Sequence, residues 1–257
     1  MRHAALLSQL LFIFALNNKS IVSMRISFWS RLLDTISPRH CLVCGRRLTV
    51  TEQSLCVGCN LHLPRTGFHL SPTDNVMARL LWTQTTVERA SALFYFEPGG
   101  DLAELVYALK YNGRPEVGRA LGALMGEELL PSGFFGGIDL IVPVPLAMRR
   151  QLHRGYNQSR ELAKGLRQAT GLPLCRPGDL WRTRFERSQT QLTHQQRHQN
   201  VSDVFSLRRA QAVAGHHVLL VDDVMTTGAT LASCAGELLK APGVTVSVLT
   251  LGFARQL

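Results

Sequence analysis

The 257-residue chain has no stretch approaching the roughly 18 consecutive apolar residues needed to cross a bilayer, so a membrane-spanning helix is excluded everywhere but the extreme N-terminus. It has no internal repeat and no low-complexity tract, which excludes a repeat array. Acidic residues are scarce: 18 Asp and Glu face 28 Lys and Arg, a formal charge of +10. The shortage is local, because residues 149–209 hold thirteen Lys and Arg against four Asp and Glu. An excess so concentrated points to polyanionic company, either a pyrophosphate-bearing ligand or nucleic acid. What is present in quantity is apolar: 46% hydrophobic residues can bury a real core, in one large domain with a small appendage.

Residues 2–16, "RHAALLSQLLFIFAL", have the basic start and short apolar run of a signal peptide. No small-x-small cleavage site follows before Met24, and "RISFWSRLLDTI" after it reads as an amphipathic helix. Residues 1–23 are therefore expected to be an untranslated or disordered leader rather than an export signal.

Cysteine is sparse but concentrated. Four of the six lie in "CLVCGRRLTVTEQSLCVGC", where Cys41, Cys44, Cys56 and Cys59 make two C-x2-C knuckles eleven residues apart. Each knuckle aims two thiolates at one point, and four soft sulfurs in a tetrahedron favour structural Zn(II) with no open coordination position. A pair of disulfides is the alternative, and it suits a secreted miniprotein better than this chain. His40 and His62 adjoin the cluster and are expected on the surface, while Cys175 and Cys234 are expected as buried or spare thiols.

Downstream, "ALFYFEPGG" reads as a strand closed by a turn. "DLAELVYALKY" places Leu102, Leu105, Val106 and Leu109 on one helical face, and "RPEVGRALGALMGEELL" is a second helix with proline near its start. "IDLIVPVPL" is an apolar run ended by prolines, and "NQSRELAKGLRQATG" a helix stopped at Gly171. A short strand near Leu180 precedes a polar tract. "HHVLLVDDV", a helix over about 228–240 and "VTVSVLTLGF" then form a strand, helix, strand unit. Such alternation predicts an α/β fold whose parallel sheet is covered by helices on both faces.

In such a sheet ligands gather past the carboxyl ends of strands, where Asp222 and Asp223 are expected. After them Thr226, Thr227 and Thr230 offer hydroxyls and Gly228 lets the backbone curl, while the following helix directs its N–H groups at the loop. That suits a phosphate monoester. The two carboxylates suit a sugar's vicinal hydroxyls, with a divalent cation to offset their repulsion, so a ribose 5-phosphate fits best. Plain Mg(II) sites of receiver or phosphatase folds also use paired aspartates, but do not require the threonine loop.

"VLLVDDVMTTGAT" resembles the phosphoribosyl-diphosphate (PRPP) signature of type I phosphoribosyltransferases at all thirteen positions. With the four-cysteine module, "LVYALKYNGR", "PVPLAMRRQLHRGYNQSRELA" and "RTRFERSQTQLTHQQRHQN" in this order, the chain resembles the ComF family, which includes the GntX proteins. The resemblance implies a zinc-ribbon-like module at residues 24–70 and a phosphoribosyltransferase-like domain at 71–257. It implies that Asp222 and Asp223 hold ribose hydroxyls, that Thr226, Thr227, Gly228, Ala229 and Thr230 hold the 5-phosphate, and that Mg(II) accompanies PRPP. It also puts Arg149 and Arg150 in a pyrophosphate-binding loop, makes residues 182–200 a mobile segment over the site, and leaves residues 60–135 to form a hood for an acceptor.

Two functions are compatible with these residues. One is a cytoplasmic role in natural competence or use of external DNA, with single-stranded DNA along Arg149, Arg150, Arg154, Arg160, Lys164 and Arg167, Tyr156 or Trp181 stacking on a base, and helicase or channel proteins of the uptake machinery as partners. For the two aromatics, ordinary packing is the commoner fate. The other is phosphoribosyl transfer, in which an acceptor displaces pyrophosphate at the anomeric carbon without a dedicated acid-base residue. The resemblance favours the first, and the residue chemistry favours a PRPP site.

Overall fold

The computed structural model describes residues 38–52, 54–111, 113–183 and 204–255. The leader, the helix expected after Met24 and most of the polar tract at 182–200 lie outside them. The cysteine module ends in a short helix α1 (Val57–His62), and α2 (Val76–Trp82) follows, capped by the Asn75 side chain on the Ala78 N–H. Strand β1 (Ala90–Phe96) leads into α3 (Asp101–Tyr111) and α4 (Pro115–Leu129). Next come β2 (Leu140–Pro143), α5 (Met148–Arg154) and α6 (Gln158–Thr170). Strands β3 (Leu180–Arg182) and β4 (Phe205–Leu207), then β5 (His217–Met225), α7 (Ala229–Leu238) and β6 (Thr245–Ala254), complete the chain.

The main sheet is parallel throughout, in the order β1-β6-β5-β2. Its residues alternate between two cores, as the period of two in a strand requires. Leu219, Val221, Leu249 and Leu251 face the side packed by α3, α4 and α6, whereas Val218, Leu220, Val246 and Val248 face α2 and α7. The expected double covering of a parallel sheet is thus the observed one. The strand near Leu180 does not join this sheet. It pairs with β4 in a separate antiparallel ribbon, Leu180 opposite Leu207.

Helices α4 and α6 touch backbone to backbone. A Cβ on Gly122 would strike the Leu162 carbonyl, and one on Gly165 the Arg119 carbonyl. Glycine at these two places therefore sets the helix separation.

The cysteine module is not a separate bead. Cys41, Leu48, Leu55, Cys56 and Leu63 are buried in the same cluster as Leu121, Met125 and Leu129 of α4. Among the described residues no helix is long and apolar enough to cross a membrane.

Candidate functional site

The segment read as the strand "HHVLLVDDV" is β5, which runs from His217 through the aspartates to Met225, with Asp222 opposite Thr250 of β6. On its other side β2 ends at Pro143, opposite Val221; the pairing closes with the Val144 N–H on the Val221 carbonyl, and the Val144 carbonyl takes the Asn157 side-chain amide instead of a β5 N–H. Asp222 and Asp223 therefore lie on a length of β5 that outruns its neighbour, where the start of α6 brings Ser159 against Asp222.

The two carboxylates have different surroundings. Asp222 accepts the Ser159 hydroxyl at 2.8 Å and the Asp223 N–H at 2.9 Å. Burial and the neighbouring Asp223 charge push its carboxyl up to about 7, against the opposing pull of Ser159 and Lys110. Asp223 accepts the Val224 N–H at 2.7 Å and is ion-paired to Lys110 at 3.0 Å. Sequence reasoning missed both partners. Ser159 stands in a helix-start motif and Lys110 in "LVYALKY", but only the fold brings them to β5. It also supplies an answer to the expected repulsion: Lys110 pairs with Asp223, and burial raises Asp222 beside it.

Beyond Met225 the loop turns through Gly228, whose φ of 82° is left-handed and favours glycine. α7 begins at Ala229 with no side-chain cap at Gly228. The Thr227 hydroxyl lies 3.5 Å from the Ala229 N–H, and the Gln84 side-chain amide donates to the Thr227 carbonyl at 2.8 Å. Thr226, Thr227, Ala229 and Thr230 are exposed and line, with Asp222, a small hollow of about 50 Å³. Hydroxyls, N–H groups of a helix start and a helix dipole converge there, an arrangement suited to an anion.

The arginines divide. The resemblance places Arg149 and Arg150 in a loop, but they stand on α5, which begins shortly after Pro145 and closes at Gly155 in the left-handed conformation. With Arg154, Arg182, Tyr111 and His153 they line an open cleft of about 1120 Å³. Arg160 is not part of that lining, and its guanidinium lies 3.5 Å from the Cys175 carbonyl. Lys164 is held by Glu161 at 2.7 Å, which also binds Arg119 at 2.8 Å. The proposed stacking residues are engaged too: the Tyr156 hydroxyl donates to the Leu109 carbonyl at 2.6 Å, and Arg208 lies 4.6 Å above the Trp181 ring.

The four thiol sulfurs of Cys41, Cys44, Cys56 and Cys59 gather within 4.8 Å of one another, and none is in a disulfide. Cys44 and Cys56 are 3.7 Å apart, close to the edge of about 3.8 Å that a tetrahedron with Zn–S bonds of about 2.3 Å requires. Burial raises the Cys41 thiol, but backbone N–H groups of Cys44, Cys56 and Val43 outweigh it and bring it down to about 7. Cys59 is pushed up, first by burial and then by the other thiols. Such crowding of soft donors fits a zinc ion, which would take the protons' place. His40 and His62 are exposed, and Cys175 and Cys234 are buried. The residue missed here is Glu52, whose carboxylate accepts the Thr49 and Val57 N–H groups at 2.7 and 2.8 Å and pairs with Arg46.

A parallel sheet with an acidic pair and a threonine loop at one strand-to-helix junction defines a phosphoribosyltransferase-type α/β protein, and residues 153–254 match the family described as the phosphoribosyl transferase domain. A glutamine PRPP amidotransferase structure from Bacillus subtilis is 24% identical with a TM-score of 0.38, over 55% of this chain and 30% of its own. A DNA utilization protein, YhgH of Shigella flexneri, is 33% identical over 225 residues, 82% of this chain and 88% of its own length. Competence protein F of Haemophilus influenzae is 27% identical over 75% of this chain and 87% of its own, and competence protein ComFC of Bacillus subtilis 27% over 85% and 80%. The chain belongs to the ComF family of phosphoribosyltransferase-fold proteins.

Proposed function

We propose that this protein binds PRPP or a related ribose 5-phosphate and works in DNA uptake or the use of external DNA, handling single strands in the cytoplasm beside helicase or channel proteins. Residues 24–70 act as its zinc module and 71–257 as the ligand-binding domain. The observation that carries the reading is the joining of Asp222 and Asp223 to the Thr226–Thr230 loop on one strand, loop and helix unit. The family relationship to proteins named for DNA utilization and competence supports the DNA role.

In this reading the two carboxylates accept the ribose hydroxyls, which ionisation of Asp222 strengthens. Threonine hydroxyls and the loop N–H groups donate to the 5-phosphate, and Arg149, Arg150 and Arg154 face the pyrophosphate. Mg(II), arriving on the ligand's phosphates, would supply charge neutralisation next to oxygen donors such as Asp222 and Asp223.

A second reading, transfer of the ribosyl group to an acceptor, is supported by the match of residues 153–254 to the phosphoribosyl transferase domain.

Calorimetric titration with PRPP and Mg(II), then with a single-stranded oligonucleotide, tests the proposal. Saturable PRPP binding that is lost in Asp222→Ala/Asp223→Ala, and oligonucleotide binding that weakens steeply with salt, are expected. Absence of PRPP binding would overturn the ligand assignment, and salt-independent or absent DNA binding the DNA role. Consumption of PRPP on adding an acceptor would establish transfer.

A further inference from the structure

We infer that Tyr107 and Tyr111 form a stacking platform for the unpaired bases of a single-stranded nucleic acid whose phosphates follow the arginines of α5; the inference rests on the DNA role proposed above. The two tyrosines stand four residues apart on α3, on the face opposite the buried Leu102, Leu105, Val106 and Leu109. Their rings lie side by side, centroids 4.8 Å apart at an interplanar angle of 41°, yet they are 61% and 53% exposed. Neither belongs to the two cores. A pair of large rings left in water offers faces for something flat.

The surroundings decide what that is. The Arg154 guanidinium lies 5.2 Å from the Tyr111 ring centre and ties the platform to α5. Tyr111 is itself part of the cleft wall, whose described lining includes Arg149, Arg150, Arg154 and Arg182 and no carboxylate. A polyanion without bases, such as polyphosphate, would use the arginines and leave the rings idle. A lone nucleobase would use the rings and leave the arginines idle. An apolar protein segment would have to cover four guanidinium groups. A chain that alternates exposed bases with phosphates meets both requirements, and base stacking on aromatics next to a basic track is the general physics of single-strand binding. The aromatics expected from sequence for this task, Tyr156 and Trp181, are occupied by a backbone carbonyl and by Arg208.

The test measures binding of a fluorescent oligothymidylate, and of an abasic strand of equal length, to the full chain across a salt series. The variants are Tyr107→Ala/Tyr111→Ala, Tyr107→Phe/Tyr111→Phe and Arg154→Ala. The alanine pair should lose roughly 10- to 100-fold in affinity for the thymidylate at an unchanged salt slope, because stacking is not a counterion effect. The phenylalanine pair should bind like the parent, and the abasic strand should bind the parent as weakly as thymidylate binds the alanine pair. Arg154→Ala should flatten the salt slope by about one phosphate's worth. Unchanged thymidylate binding by the alanine pair, or equal binding of abasic and thymidylate strands by the parent, overturns the platform while leaving the DNA role standing. If the parent binds no strand at all, the DNA role fails first and the platform with it. If the alanine pair keeps strand binding but loses affinity for free nucleobases, the rings serve a transfer acceptor and the inference is wrong.

Discussion

Asp222 and Asp223 are neighbours in sequence, but one is shielded beside Ser159 and the other answers to Lys110. This asymmetry has a pH consequence. A ligand that needs both carboxylates ionised should bind more tightly as pH rises through about 7, the region to which burial and Asp223 push Asp222. Stability should move the other way: a carboxyl raised from its ordinary value of about 4 to about 7 favours the folded state most below pH 4, and that contribution is lost as pH climbs to 7. Lys110→Met removes a charge that holds Asp222 down, so the midpoint of PRPP binding against pH should shift upward. Calorimetry between about pH 6 and 8.5 would read it. Glu52 behaves oppositely. The Thr49 and Val57 N–H groups lower its carboxyl to about 2, so its contribution is complete above about pH 4 and lost as pH falls toward 2. Glu52→Gln should abolish that acid-side dependence in pH-resolved thermal melts.

At the level of elements, the contact between α4 and α6 is the most exacting in the fold. Gly122→Ala or Gly165→Ala forces a methyl into a carbonyl that has nowhere to retreat, and a loss of about 1–3 kcal/mol is expected in denaturant unfolding. α6 also carries Ser159 at its start, so a displaced α6 should weaken ligand binding as well as stability. The periodic patterns of α3, α4, α6, β5 and β6 are readable because their apolar residues recur at helical or alternating spacing. The helix at α5 is not, since "MRRQLHR" has no buried stripe: none of its residues is buried, and its start and stop come from flanking proline and Gly155. Nor can the separate β3–β4 ribbon be read, because three-residue strands carry no partner information.

For the molecule as a whole, the cysteine module and α4 share one core, which couples the metal to the main domain. Chelation should therefore lower the melting transition of the entire protein rather than release one small independent transition. Calorimetric melting with and without chelator, alongside metal analysis of the purified protein, would check both the zinc and the coupling. The coupling also follows from size, since about 30 residues cannot build a core unaided and lean on whatever apolar face is nearest.

The amino-acid sequence by itself determined the parallel α/β class, the four-sulfur cluster and the acid-pair and threonine loop, because each is local: a spacing, a periodicity or a contiguous motif. Only the tertiary structure decided that Lys110 and Ser159 serve the two aspartates, that Arg149, Arg150 and Arg154 share a cleft while Arg160 does not, and that Tyr107 and Tyr111 rather than Tyr156 and Trp181 present open rings. The contacts of Lys110 and Ser159 join residues far apart in the chain, and the side that an arginine or a tyrosine faces is set by how helices settle on a sheet, which the local chain does not encode.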